Sequence, residues 1–229
     1  MTTKATALLT LLLFAAPGVS SASIIVDLVD REGNDSGWSV VLADDVHNGV
    51  VVDAVTGDYV RIEIAKTFTL PPEGGVFPGN TIAFLQRLDD AGTVAPIQIT
   101  SEIVTSDTGV DWTDYHWSID GPAAAFDAAA TDASGFSIDP FTRRQWGAPP
   151  AGWSADHAGS LDVDGGVVPD GHTFFPGATA GRLCIDVDLA AEDSDFTLEQ
   201  VPTPEPGTIA LLAVGGAIFL VRRRRRRGA

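Results

Sequence analysis

The chain has a single cysteine, Cys184, among its 229 residues. An intramolecular disulfide is therefore excluded, and the fold must be held by its core or by bound ions even in an oxidising compartment. Apolar residues make up 45% of the sequence and charged residues 20%, which suits a packed core rather than a disordered chain. One folded domain is the expectation for this length.

Basic residues are also scarce: 14 lysines and arginines stand against 31 aspartates and glutamates, for a net charge of −17. Six of them are Arg222 to Arg227 and one is Lys4. If both ends are removed, 14 − 1 − 6 = 7 basic residues remain, and the body keeps 31 − 7 = 24 excess negative charges. Such a surface repels nucleic acid and anionic lipid and attracts divalent cations, so we expect no nucleic-acid partner.

Catalytic motifs are missing as well. The sequence has no G-x-S-x-G elbow, no P-loop, no Rossmann glycine fingerprint and no H-E-x-x-H pattern. Cys184 lies among acidic residues, which would raise the pKa of its thiol and disfavour a cysteine nucleophile. Zinc-type i, i+4 spacing is not found among the scattered histidines, His47, His116, His157 and His172. The sequence therefore predicts a protein that is not an enzyme.

The first 22 residues have the pattern of a secretory signal peptide. Lys4 precedes the almost wholly apolar run from Ala5 to Ala16, and Pro17-Gly18 breaks any helix before the small residues Ser20-Ser21-Ala22. We predict cleavage after Ala22. The alternative is a buried N-terminal helix, which is disfavoured because such a helix is normally amphipathic and this segment has no polar face.

The other end combines three segments: a Pro-rich stretch from Pro202 to Gly207, an apolar run from Thr208 to Val221, and the arginine run. As a helix, the fourteen apolar residues reach about 21 Å, short of the ~30 Å hydrocarbon core. This short hydrophobic helix is predicted to insert transiently through residues 208–221, with the arginines on the cytoplasmic side. A permanent single-pass anchor is the alternative.

Pro204-Glu205-Pro206, followed by the short apolar span and the terminal arginines, resembles the PEP-CTERM sorting signal of exosortase-bearing bacteria. The resemblance covers about the last 28 residues. It implies that an exosortase-type membrane enzyme recognises the tail and cleaves near Pro204, Glu205 and Pro206. The protein would then be released or transferred outside the cell, often among exopolysaccharide. The resemblance implies a destination and no activity.

Between the two ends, apolar and polar residues alternate with the period of two that is typical of half-buried strands. Strands are predicted at Ile24 to Val29, Trp38 to Leu42, Val50 to Val55, Tyr59 to Ala65, Ile82 to Leu88, Ile97 to Val104, Tyr115 to Ile119, Leu183 to Leu189 and Phe196 to Val201. Turns are predicted at Asn48-Gly49, at Thr56 to Asp58, at Pro71 to Gly75 and at Asp90 to Gly92.

The pattern predicts an all-β fold, an antiparallel β-sandwich, with a jelly roll as one arrangement that it allows. A single short helix is predicted over Pro122 to Ala130. Loops with one or two strands are expected over Ser134 to Ala180. The domain division is then a signal peptide (1–22), an acidic sandwich (23–200) and a sorting tail (201–229).

Two acidic patterns and two tryptophans are candidate site residues. Asp162-Val163-Asp164-Gly165-Gly166 is a fragment of a calcium loop, and a hairpin turn with solvated flanks is the alternative. Asp186 and Asp188 share one strand face about 7 Å apart, which suits a bridging cation, a catalytic pair or an ordinary polar face. Trp146 and Trp153 lie in a Gly/Pro-rich stretch, where we expect more exposure than at the other tryptophans, and they are candidates for stacking on sugar rings.

The function that these features favour is an exported surface or extracellular-matrix protein with a non-catalytic structural or adhesive role. It is processed by an exosortase-type enzyme and has extracellular polysaccharide as a candidate partner. No cofactor is assigned, although calcium remains a candidate. The alternatives are a calcium-dependent carbohydrate-binding module and a small secreted carbohydrate-active hydrolase.

Overall fold

Strands account for most of the chain that the computed structural model describes, residues 23–42, 48–72, 77 and 80–204. Three predicted features lie outside the described residues: the signal peptide that ends at Ala22, the histidine His47, and the tail from Glu205 onward. Among the residues that are described, no helix reaches the length and hydropathy that a membrane crossing requires.

Fourteen strands and one helix follow in chain order within these ranges. They are β1 (Ile24–Val29), β2 (Asp35–Leu42), β3 (Asn48–Val55), β4 (Val60–Phe68), β5 (Asn80–Gln86), β6 (Ile97–Ser106), β7 (Trp112–Asp120), β8 (Ala124–Asp127), α1 (Ala128–Ser134), β9 (Arg143–Trp146), β10 (His157–Ala158), β11 (Ser160–Asp164), β12 (Thr173–Phe174), β13 (Leu183–Val187) and β14 (Phe196–Pro204). The nine predicted strands are all confirmed, within a few residues at their ends.

The strands form two sheets, and the all-β sandwich is confirmed. The first sheet has the order β1-β2-β5-β14-β7-β11-β9, and the second has the order β10-β8-β13-β6-β4-β3, with β12 also pairing with β6. The one parallel pair in the described part of the chain is β4 with β6, which departs from the expected fully antiparallel arrangement.

The core lies between the sheets and is filled by alternate residues of their strands. Val60, Ile62 and Ile64 point inward from β4 while Glu63 is exposed, as their spacing predicts. From the first sheet, Trp38 and Trp117 are fully buried. Both sheets contribute to one continuous hydrophobic cluster.

Three local predictions differ from the structure. The predicted helix over Pro122 to Ala130 is instead β8 followed by α1, because Ala124 to Phe126 are buried and pair with β13. The helix begins only after Asp127, whose side chain caps it by accepting a hydrogen bond from Ala130 N. The stretch 134–180 contains four short strands rather than one or two. Asn48-Gly49 begins β3 instead of forming a turn.

Candidate functional site

A surface groove of about 540 Å³ lies at one end of the second sheet, where four separate segments meet. Its lining includes Pro96, Pro122, Trp153, Asp186 and Asp188. The structure therefore brings together one of the two predicted exposed tryptophans and the predicted carboxylate pair. A concave site with an aromatic wall and a few convergent polar groups is the usual form of a binding pocket.

Trp153 forms the aromatic wall and is held from two sides. Its indole Nε1 donates to the carbonyl of Pro122 at 3.1 Å, and its ring lies 4.7 Å from the ring of His157, centroid to centroid, at 48°. The side chain is half-buried. Fixed in this way, an indole presents apolar surface at low entropic cost to a ligand.

The two carboxylates enter the groove from the end of β13. Leu183 and Ile185 point into the core. Because side chains alternate along a strand, Asp186 points outward. Asp188 lies just beyond the strand, where its backbone N–H donates to the carbonyl of Ala123 at 2.8 Å. Both aspartates line the groove, but β13 ends at Val187, so Asp188 lies beyond the strand face that the prediction assigned to both.

A hydroxyl, an imidazole and a carboxylate are connected beside the groove. Ser154 Oγ lies 2.9 Å from His157 Nδ1, and His157 Nε2 lies 3.0 Å from Asp186 Oδ2. This order resembles the relay of serine hydrolases. However, Ser154 and His157 share one tight turn, closed by the His157 N–H and the Ser154 carbonyl at 3.1 Å, and neither residue lines the groove. These hydrogen bonds therefore fix the loop that carries Trp153.

The predicted calcium-loop fragment ends β11 on the outer face of the first sheet. Asp162 Oδ1 lies 2.7 Å from His116 Nδ1, and Asp164 forms an ion pair with Arg143. Gly165 follows with a φ of +76°, which a glycine turn permits, so the two carboxylates face basic side chains beside a turn. Within the described ranges, no group of three or more His, Cys, Asp or Glu residues is placed to hold a metal ion.

The remaining candidates have local roles. Trp146 is half-buried, and its Nε1 donates to Asp132 Oδ2 at 3.2 Å. His172 Nδ1 donates to the carbonyl of Asp170 at 3.2 Å. Cys184 is buried, and burial raises the pKa of its thiol. The predicted direction of that shift is confirmed, while its main cause is burial rather than acidic neighbours.

The beginning of the Pro-Glu-Pro motif is part of the sheet. Pro202 and Pro204 are buried at the end of β14 and pair with Tyr115 and Trp112 of β7, whereas a linker from Pro202 onward was the expectation. β5 pairs with β14 only as far as Gln200. Among the described residues, β14 pairs beyond that point with β7 alone, where prolines that lack an N–H are tolerated.

A second polar cluster, not predicted from the sequence, lies inside the sandwich. Glu102 on β6 accepts hydrogen bonds from Trp117 Nε1 at 3.3 Å and from Gln200 Nε2 at 3.0 Å. Tyr115 OH donates to Gln200 Oε1 at 2.7 Å. Lys66 points into the same interior from β4 and is 2% exposed. The alternation that buries Val60, Ile62 and Ile64 continues to Lys66. The burial of Lys66 could therefore have been predicted from the sequence.

Burial sets the charge states in this cluster. It raises the pKa of Glu102, an effect that Lys66 and the hydrogen bonds from Trp117 and Gln200 oppose. It lowers the pKa of the Lys66 amine from 10.5 to about 8, against the attraction of Glu102. Both groups are therefore biased towards their neutral forms, because the interior disfavours charge.

Comparison with known proteins identifies only the C-terminal segment. Residues 202–226 match the family model described as the PEP-CTERM protein-sorting motif. No curated protein and no solved structure matched the chain. The chain thus carries the PEP-CTERM protein-sorting motif, which marks an exported protein that the membrane enzyme exosortase recognises and processes at its C-terminus.

Proposed function

We propose that the processed protein is a non-catalytic adhesive component of the cell surface or extracellular matrix, and that it binds polysaccharide through the groove at Trp153. The observation that supports this proposal is the convergence of Trp153, Asp186 and Asp188 in one groove. Sugar rings offer apolar C–H faces that pack on an indole, and hydroxyl groups that donate to carboxylates.

The charge of the body narrows the ligand class. Because the mature body has 31 − 7 = 24 excess negative charges, it repels polyuronates and other anionic polymers. Neutral and amino-sugar polysaccharides are not repelled. The ammonium group of an amino sugar would be attracted to Asp186 and Asp188. We therefore expect binding to neutral or amino-sugar chains.

Isothermal titration with a soluble β-glucan, chitosan oligosaccharides and a polyuronate tests the proposal. We expect Trp153→Ala to weaken binding of the neutral or amino-sugar probe about tenfold or more, equivalent to about 1.4 kcal/mol or more. Trp146→Ala is the matched control, since Trp146 is also half-buried but does not line the groove. Asp188→Asn should weaken chitosan binding more than β-glucan binding, because only chitosan is cationic.

The outcomes separate the competing functions. Equal affinity for the Trp153→Ala and Trp146→Ala variants, or binding of none of the probes, would contradict the groove proposal. Loss of binding in a chelator would favour a calcium-dependent module, and release of new reducing ends would favour a hydrolase.

C-terminal processing gives an independent test of the destination. We expect the mature protein to lack the six arginines from Arg222 to Arg227. Intact-mass measurement of secreted material that still carries them would contradict processing, whatever the groove binds.

A further inference from the structure

The Lys66 amine is the most unusual group in the interior cluster. Its Nζ is buried and has no hydrogen-bond partner among the described residues, a costly arrangement for an ammonium group with three donors. The lowered pKa of about 8 makes the free amine, which is a nucleophile, accessible near neutral pH. The amine is carried on a flexible four-carbon stem, which lets it change position.

The carboxamide of Gln200 is polarised from both ends. Tyr115 OH donates to its oxygen at 2.7 Å, and its nitrogen donates to Glu102 at 3.0 Å. Burial favours the protonated form of Glu102, so an acid lies beside the nitrogen that would have to leave. A donor at the carbonyl oxygen and an acid at the leaving group are what attack by an amine requires.

The strand register places the amine and the acid on one face. β4 and β6 are parallel neighbours in which Ile64 is the partner of Glu102, and Lys66 lies two residues beyond Ile64 on the same inward side. Glu102 in turn contacts Gln200 on the opposite sheet. Glu102 is thus hydrogen-bonded to Gln200 and close enough for its charge to act on Lys66, so it can move a proton between them once the Lys66 side chain approaches Gln200.

We propose that Lys66 and Gln200 join in an intramolecular amide bond that links the two sheets. The neutral Nζ attacks the Gln200 side-chain carbonyl carbon, the new Nζ–C bond forms, and the C–Nε2 bond breaks. One ammonia molecule leaves, and Glu102 passes the proton lost by Nζ to the departing nitrogen. The reaction needs no oxidant and no further reactant.

Such a bond would serve a chain that has no disulfide and is processed at its C-terminus. Gln200 lies on β14, two residues before Pro202, where the match to the sorting motif begins. A covalent bond at Gln200 would transfer tension applied at the C-terminus to the opposite sheet, instead of to the hydrogen bonds between β14 and its neighbours. The bond would also restrict the unfolded chain, as a disulfide does.

Mass spectrometry of the wild-type full chain, denatured and digested with a protease, tests this directly. We expect a branched peptide in which Lys66 is joined to Gln200, lighter than the two separate peptides by one ammonia molecule. A linear peptide with free Lys66 would overturn the proposal, as would a bond from Lys66 to another carboxamide, for instance Asn48 or Asn80. This measurement needs no variant.

Three variants define the chemistry. Gln200→Glu should give the same linked peptide as the wild type, since water then leaves instead of ammonia. Glu102→Gln should leave Lys66 and Gln200 in separate peptides, because the proton carrier is lost. Gln86→Glu changes a half-buried glutamine outside the cluster and should leave the bond intact. An intact bond in the Glu102→Gln variant would overturn the assigned role of Glu102.

Discussion

Phe196 begins the strand that leads to the sorting motif, and its truncation should destabilise the whole sandwich. The side chain is 3% exposed. Its ring stacks on Phe84 with centroids 4.7 Å apart and 4° between planes, and meets Trp38 edge-on at 6.0 Å. Removing a buried phenylalanine costs about 3–5 kcal/mol, a large part of the 5–15 kcal/mol that is typical of folded domains. At about 2–4 °C per kcal/mol for a domain of this size, we expect Phe196→Ala to lower Tm by about 6–20 °C.

Thermal unfolding followed by near-UV circular dichroism measures this effect. Phe175→Ala is the matched control, because it deletes the same atoms from a side chain that is 47% exposed, and surface changes usually stay within about 0.5 kcal/mol. Phe196→Leu keeps most of the volume and should cost less than about 1.5 kcal/mol, which isolates the aromatic contribution. Similar Tm values for the two alanine variants would refute the packing described for Phe196.

Three further predictions concern buried polar groups. Burial raises the pKa of Tyr115 well above its usual 10.0. The stability that this provides is complete below pH 10 and is lost as the pH rises beyond it. Ultraviolet titration of a Tyr59→Phe variant, in which Tyr115 is the one remaining tyrosine, should therefore show ionisation only with unfolding; ionisation in the folded state would contradict this. Thr131→Val should lower the free energy of unfolding, measured in urea, by about 1–3 kcal/mol, because the Cys184 N–H loses its hydrogen bond to Thr131 Oγ1 at 3.0 Å. Thr197→Val, on the solvent side of β14, is the control and should lower it little. Equal losses in the two variants would refute the hydrogen bond. Because burial raises its pKa, Cys184 should react with a thiol reagent much more slowly in the folded than in the unfolded protein, and rapid labelling of the native state would show that the thiol is accessible.

The strands could be predicted because local spacing and tertiary burial agree. In β4 the same alternation that defines the strand also selects its buried face, and β1 has the bounds that its apolar residues predict. The short strands between 134 and 180 could not be predicted, because β10 and β12 have only two residues each, too few to show a period. Their existence depends on β8 and β6, which pair with them.

The groove shows a different limit of sequence reasoning. Trp153 and the aspartates at 186 and 188 were each candidates, yet nothing in their spacing predicts that they share a wall. Their meeting depends on β8 pairing with both β13 and β10, which brings the loop before His157 to the end of β13. Since a helix was expected in place of β8, sequence reasoning had no means of predicting the groove.

The position of Pro204 restricts where processing is compatible with the folded domain. Thr203 Oγ1 lies 2.9 Å from His116 Nε2, and Pro202 and Pro204 are buried against β7. A cut before Pro202 would remove this segment and expose the core beneath it. A cut on the C-terminal side of Pro204 leaves β14 complete and removes the apolar run with its arginines. The sandwich that reaches the outside is then the whole acidic body, with β14 complete to Pro204.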